Sequence, residues 1–322
     1  MRASNRVTLL LLLLLLLGCY GAKTTLPKST PPTKGKTAKG PNCELGGCNS
    51  LPIPEDLQER IQETEGFGLL LYDLDYASAK ATDLLFEKKA KTELLAGYLP
   101  LIEGNKDGLT GSYIVVFYSN EKIPRTLYQV LVYPDRTRRP EWLPEANPEP
   151  VSAGILAMIK ARQRALDAVR KELVQPSNPI VLGLPDRLVV YLLSGTNKPN
   201  LAILGKHYRL EVSTDGEEVK SIFLMSERVN GFTADEGVKN LKSIKPIAEG
   251  ALEMPYNEET AVLTVTNVVT DWPLESHVFA NLLYGVPIYV VTKRGLWLVE
   301  EGHISYVSED TPWINDEPPP TD

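Results

Sequence analysis

The hydrophobic period of this chain changes near residue 176, and that change limits the folds that the chain can adopt. Residues 54–99 and 152–175 repeat apolar side chains at spacings of three and four, which predicts two long amphipathic helices. Beyond residue 176, apolar and polar side chains alternate, as they do in strands with one buried face. The strands predicted there are residues 188–193, 206–213, 219–225, 261–269, 277–283, 287–292 and 296–307.

The connections between these strands favour antiparallel pairing. Parallel strands need crossover connections of about a dozen residues or more, usually helical, and none is apparent between the predicted strands. Two further strands, residues 112–118 and 126–133, flank a short polar loop, and Thr214-Asp215-Gly216-Glu217 and Glu301-Gly302 are typical hairpin turns. The sequence therefore predicts an α+β fold, with helices packed on antiparallel sheet made of hairpins and meanders.

The first residues carry the pattern of a secretory signal. Arg2 and Arg6 precede nine consecutive leucines, residues 9–17. This apolar run is shorter than the ~20 residues that a membrane-spanning helix needs. Residues 1–18 are therefore predicted to be a signal peptide rather than a permanent anchor.

The end of this signal resembles a known processing site. Leu16-Leu17-Gly18-Cys19 is similar to the lipobox of bacterial lipoproteins, although Leu17 stands where a smaller or β-branched residue is commoner. The resemblance implies that Cys19 is the acylated first residue of the mature protein, facing the periplasm of a bacterial envelope. Tyr20 follows instead of the aspartate that retains lipoproteins in the inner membrane, which favours the outer membrane. The alternative is ordinary cleavage near Gly18 or Gly21, without lipid.

Charge is distributed unevenly along the chain. Residues 19–43 contain five lysines and no acid, whereas all 41 acidic residues follow them, which leaves the rest of the chain with a formal charge of about −14. The acidic character of the chain after residue 43, which we call the body, argues against nucleic-acid binding, because phosphate contacts need basic side chains. The basic segment suits an anionic membrane surface.

Cysteines and prolines divide the chain. Cys43 and Cys48 would form a small disulfide loop in an oxidising compartment, since a zinc site needs four ligands and no other cysteine or histidine lies nearby.

A proline-rich stretch, residues 134–150, separates two lobes. The predicted organisation is a signal peptide (1–18), a lipidated tether with the disulfide loop (19–53), an N-terminal α+β lobe (54–149), a C-terminal α+β lobe (150–312) and a disordered tail (313–322).

The chain lacks the common catalytic motifs. It has no Gly-x-Ser-x-Gly or His-Glu-x-x-His sequence, no phosphate-binding loop and no cysteine left over as a nucleophile. Its three histidines, His207, His277 and His303, each lie alone in or beside a predicted strand. Glu275, His277 and His303 would form a metal or acid–base site if the last strands curl together, and are otherwise structural. We expect no catalytic residue, no bound metal and no cofactor.

Three charged segments leave alternatives open. Arg136-Thr137-Arg138-Arg139 is either an anion-binding patch or a solvated loop. The basic side chains of the helix predicted over residues 152–175 would either pair with the protein's own carboxylates or dock on lipid. Asp73 and Asp75 hint at calcium, but the residues after them lack the ligand spacing of an EF-hand loop.

The C-terminal half also resembles known sequences. Residues 205–212, 275–279, 287–290 and 296–299 are similar to a group of uncharacterised proteobacterial secreted proteins and lipoproteins, over about residues 60–308. The group has no assigned activity, so the resemblance supports the class of organism and not a function.

These observations favour a membrane-anchored envelope lipoprotein that is not an enzyme and that binds a protein partner, with a protective or neutralising role among the options. One alternative is a scaffold or assembly factor for envelope machinery. The other is a periplasmic hydrolase that works with carboxylates alone, as glycosidases do.

Overall fold

The computed structural model describes residues 50–103, 111–143, 148–173, 177–195, 201–225, 231–234, 242–244, 251–255 and 262–310. Cys19, Cys43 and Cys48 lie outside these ranges, as do the predicted signal peptide and the tail 313–322.

The described chain forms three α-helices, α1 (Gln58–Glu87), α2 (Ala153–Val169) and α3 (Glu275–Tyr284). Its strands are β1 (Leu95–Ile102), β2 (Tyr113–Ser119), β3 (Thr126–Val132), β4 (Glu141–Leu143), β5 (Ser177–Gly183), β6 (Leu188–Ser194), β7 (Leu201–Gly205), β8 (Tyr208–Val212), β9 (Val219–Leu224), β10 (Gly231–Ala234), β11 (Lys242–Ile244), β12 (Ala251–Pro255), β13 (Val262–Thr266), β14 (Ile288–Thr292), β15 (Gly295–Glu300) and β16 (His303–Ser308).

The strands form three main sheets. The first sheet has the order β1-β2-β3-β4, the second β5-β6-β8-β9 and the third β11-β10-β13-β14-β15-β16, while β7 pairs with β12. Pairing is antiparallel throughout the first and second sheets. The predicted α+β class with antiparallel sheet is confirmed, and so are the hairpins β2–β3, β8–β9 and β15–β16.

One predicted strand is wrong. Residues 277–283 belong to α3, which crosses over between β13 and β14 and makes those two strands parallel. Every residue from Glu275 to Asn281 is buried. α3 has only ten residues, and a short, largely buried segment of this kind is not distinguishable from a buried strand by pattern. Gly285 ends the helix with a φ of +66°, the left-handed conformation that glycine adopts without strain.

The first predicted helix is too long. α1 ends at Glu87 instead of reaching residue 99, and the chain from Leu95 forms β1. Leu95 and Leu99 are four residues apart, which also fits a helix, but Gly97 and Pro100 disfavour one.

The second sheet is covered on both faces. Because side chains alternate along a strand, β5 directs Ile180 and Leu182 toward α1 and Val181 toward α2. The apolar cluster under α1 also takes Leu74 from the helix and Val115 from the first sheet. A single core therefore joins segments from both sides of the proline-rich stretch.

Small residues let α2 lie close to the second sheet. Ala157, Ala161 and Ala165 repeat every four residues and face it. The β8–β9 turn packs on the same helix through Gly216, where an added Cβ would lie 2.0 Å from the Ala157 carbonyl oxygen. Ser152 caps the N-terminus of α2, because its hydroxyl accepts a hydrogen bond from the Ile155 N–H at 3.3 Å.

The described chain enters the fold at the outer edge of the third sheet. The Leu51 N–H donates to the Tyr306 carbonyl at 2.8 Å, and Arg294 holds Asp56 through two hydrogen bonds of 2.8 and 2.9 Å. Within the described residues, no helix has the length and apolar character to cross a membrane.

Candidate functional site

A partly exposed cluster of aromatic and basic side chains lies where α1 meets the segment between β3 and β4. We call it the tyrosine–arginine face and define it by Tyr72, Tyr76, Tyr133, Arg136 and Arg138. The Arg136 guanidinium carbon lies 4.3 Å from the Tyr72 ring centroid and 4.9 Å from that of Tyr76. Both are distances at which a cation is attracted to an aromatic face.

Polar contacts fix the Arg136 side chain in this position. Its Nη2 donates to the Asp73 carboxylate at 2.7 Å and its Nη1 to the Tyr72 hydroxyl at 3.0 Å. Asp73 also accepts a hydrogen bond from the Tyr113 hydroxyl at 2.9 Å. Burial alone would lower the pKa of Arg136, but the hydrogen bond to Asp73 raises it above its ordinary value, so the charge is permanent.

The backbone at Arg136 is unusual. Its φ is +55°, in the left-handed region that costs a side-chain-bearing residue ~1–2 kcal/mol. Asp135 supports the turn, since its Oδ1 accepts hydrogen bonds from the N–H groups of Thr137 and Arg138. Strained residues persist only where the surrounding contacts hold them. Here those contacts are the ones that place the guanidinium on the two tyrosines.

Further aromatic and basic residues extend the face. The Arg138 guanidinium carbon lies 4.5 Å from the Tyr133 ring centroid, and the Tyr133 hydroxyl donates to Glu141 at 2.7 Å. This hydrogen bond raises the pKa of Tyr133. The side chains of Arg136 and Arg138 are 36% and 64% exposed, so the face is ordered yet open to solvent.

The arginines of this segment do not form a free anion-binding patch. Arg136 pairs with Asp73, Arg138 with Asp135 and Arg139 with Glu87. Two basic residues of α2 behave in the same way, because Lys160 and Arg164 both contact Glu217.

The structure separates the three residues of the predicted histidine site. His277 is buried in the first turn of α3, whereas the His303 side chain is 81% exposed at the start of β16, with its Nδ1 3.8 Å from Glu65. The histidine that shares a small cavity with His277 is His207, which follows β7. His207 and His277 lie far apart in the sequence, so a linear pattern does not reveal that they line the same cavity.

Hydrogen bonds define the proton positions of the two buried histidines. Nδ1 of His207 accepts from the Ser194 N–H and Nδ1 of His277 from the Leu274 N–H, each at 2.9 Å. A neutral imidazole whose Nδ1 accepts carries its proton on Nε2. Burial lowers the pKa of His207 to about 3 and that of His277 to about 4, so both rings are neutral near pH 7.

This arrangement is unlike that of a metal ligand or a general base. Either role needs a free nitrogen lone pair, whereas the lone pair of each Nδ1 is engaged and each Nε2 is a donor. Among the residues that the structure describes, no three metal-ligating side chains come together.

Glu275 attaches α3 to the second sheet. It is buried, and its Oε1 accepts hydrogen bonds from the Tyr191 hydroxyl at 3.0 Å and from Arg209 Nη1 at 2.7 Å. The Arg209 guanidinium carbon lies 4.8 Å from the Phe223 ring centroid. These contacts are those of a structural anchor.

Asp73 and Asp75 point to different partners. The amide of Asn178 donates to Asp75 and accepts from the Tyr98 hydroxyl at 2.8 Å. Burial raises the pKa of Asp75. Asp73 binds Arg136 instead, so the two carboxylates do not converge as calcium ligands would.

Comparison with models of protein families, with curated proteins and with solved structures found no match. Sequence reasoning singled out residues 136–139 but missed Tyr72 and Tyr76, because nothing in a linear pattern links Tyr72 to Arg136, 64 residues later in the chain.

Proposed function

We propose that this protein is a lipid-anchored envelope lipoprotein that binds a protein partner without catalysis, and that the tyrosine–arginine face is its binding surface. The observation that carries the proposal is the Arg136 guanidinium, which Asp73 holds against Tyr72 and Tyr76. Tyrosine, tryptophan and arginine are the residue types that most often dominate binding energy in protein interfaces.

The face suits binding because its side chains are already ordered. Fixing a flexible side chain in an interface costs ~0.5–1.5 kcal/mol, and stacking and hydrogen bonds have met that cost in the free protein. The planar guanidinium of Arg136, in contact with both rings, belongs to a side chain that is still 36% exposed, so it presents apolar area and unused donor positions together.

The anchor is the second part of the proposal. With Cys19 acylated, the lysine- and proline-rich segment of about 22 residues would hold the body ~25–30 Å from the bilayer on average. The described chain begins at the edge of the third sheet, so the tether would reach the body there. A tethered body of this kind can meet a partner in the periplasm while staying attached to the membrane.

Site-specific photo-crosslinking in cells tests the proposal. A photoreactive phenylalanine in place of Tyr76 is expected to give a discrete crosslinked product, and the Arg136→Ala change in the same chain is expected to remove it. The control position is Ala168, exposed on α2, where the same photoreactive residue is expected to give none. A crosslink at both positions, or a Tyr76 crosslink that survives Arg136→Ala, would argue against this face.

The nature of the partner decides between the binding alternatives. A single toxin-like partner would support a neutralising role, whereas several envelope components in one stable complex would support a scaffold.

A further inference from the structure

A small cavity lies beside the first turn of α3, next to β7 and to the ends of β9 and β13. It has room for about 10 Å³ of solvent, close to the space that one water molecule needs, and His207, His277, Asn267 and Ser276 are among its lining residues. His207 and His277 are 3% and 8% exposed. The two histidines that line the cavity are therefore interior residues, one after β7 and one in the first turn of α3.

His207, one of the residues that line this cavity, has a side-chain nitrogen without a partner in the described part of the chain. His207 Nε2 is buried without a hydrogen bond to any residue of the described chain. Because Nδ1 accepts from Ser194, this nitrogen carries a proton and is a donor. Buried donors without acceptors are rare in folded proteins, and a bound water or ion is one of the established explanations for such a donor.

The surroundings of the cavity also favour a hydrogen-bond acceptor. Nε2 of His277 is a second donor by the same argument, since its Nδ1 accepts from Leu274. Ser276 and His277 lie in the first turn of α3, whose N-terminus carries partial positive charge. The nearby Glu275 carboxylate is occupied by Arg209 and Tyr191, which offsets its negative charge.

We propose that this cavity binds one water-sized hydrogen-bond acceptor, a water oxygen or a chloride ion, which accepts from His207 Nε2 at the N-terminal end of α3. The bound group would link the connection between β7 and β8 to the first turn of α3 and would complete the hydrogen bonding of His207. A metal cation does not fit, because both rings present N–H groups there. This site is independent of the tyrosine–arginine face, and the failure of either proposal leaves the other intact.

Crystals of the mature full-length chain grown in sodium bromide, measured at the bromine absorption edge, test the site and distinguish its two occupants. We expect a density peak within hydrogen-bonding distance of His207 Nε2. An anomalous signal on that peak identifies a halide, and its absence identifies water. Wild-type protein with no density in the cavity would overturn the proposal.

The variant His207→Asn supplies the matched comparison. The asparagine side-chain oxygen can take the place of Nδ1 and accept from Ser194, but the donor at Nε2 is lost. In this variant the peak should move from its wild-type position or lose occupancy, and a peak of unchanged position and occupancy would contradict the assigned contact. If the variant does not fold, nitrogen-15 spectra of histidine-labelled wild-type protein give a second test. We expect the Nε2–H tautomer for His207, and a proton on Nδ1 would refute the site.

Discussion

Arg136 donates a 2.7 Å hydrogen bond to Asp73, although 63 residues separate them in the chain. This contact joins the segment after β3 to the middle of α1 and sets the guanidinium on Tyr72 and Tyr76. This contact and the hydrogen bond to the Tyr72 hydroxyl place the guanidinium in the binding surface that we propose.

A double-mutant cycle measures that contact. We expect Asp73→Ala and Arg136→Ala to show a coupling energy of about 1 kcal/mol, at the upper end of the range for exposed pairs, because the Asp73 side chain is only 15% exposed. The pair Asp135 and Arg138 is the control, since its side chains are 38% and 64% exposed and should couple by less than ~0.5 kcal/mol. Urea unfolding of the single and double variants gives both values. Equal coupling energies in the two pairs would mean that Asp73 holds Arg136 no more strongly than Asp135 holds Arg138.

Two glycines of α1 should respond oppositely to alanine. At Gly68 an added Cβ would lie 2.4 Å from the Val278 Cβ, so Gly68→Ala should push α1 and α3 apart and cost ~1–3 kcal/mol of stability. At Gly66 nothing lies within 4 Å, so Gly66→Ala should stabilise the helix by up to ~1 kcal/mol. Thermal unfolding of the two variants compares them directly. Stabilisation by Gly68→Ala would show that the two helices do not pack as described.

Stability should fall in mild acid because of the buried histidines. The folded protein keeps His207 and His277 neutral, with pKa values of about 3 and about 4, whereas in the unfolded chain they protonate near 6.5. The unfolded state thus binds more protons below pH 6.5, and each ring should cost ~1–2 kcal/mol between pH 7 and pH 5.

Glutamine variants isolate this effect. His277→Gln can still accept from the Leu274 N–H, as the third residue of a capping box does, but it does not titrate. Denaturant unfolding at pH 7 and pH 5 should show a smaller loss for His277→Gln than for the wild type, and an unchanged loss for His303→Gln, whose side chain is 81% exposed. A loss of equal size in all three proteins would assign the acid sensitivity to other groups.

The sequence predicted the fold where a local pattern decides it. Alternation and turn residues such as Gly216 located the antiparallel hairpins correctly. Pattern failed at α3, because a buried segment of only ten residues fits a strand as well as it fits a helix. It also paired His277 with His303, the nearer histidine in sequence, whereas the crossover of α3 brings His277 to the cavity that His207 lines.

Cys19→Ala should release the protein from the membrane while leaving its body folded. The expectation rests on the Leu16-Leu17-Gly18-Cys19 sequence, since the three acyl chains expected at Cys19 would each add ~0.8 kcal/mol of membrane affinity per buried CH₂. Cell fractionation with metabolic acyl labelling checks it. A wild-type protein that takes up no label would rule out the lipid anchor.

The affinity of the crosslinked partner for the Arg136→Ala variant tests the central proposal most directly. We expect the dissociation constant, measured by calorimetry with the purified partner, to rise by at least ~30-fold, the ~2 kcal/mol that defines an interface hot spot. Arg170→Ala is the matched control, because Arg170 is an exposed arginine at the C-terminal end of α2 that pairs with Asp167, and its loss should leave the dissociation constant within about twofold of the wild type. A dissociation constant for Arg136→Ala that also stays within this range would contradict the assignment of the tyrosine–arginine face as the binding surface.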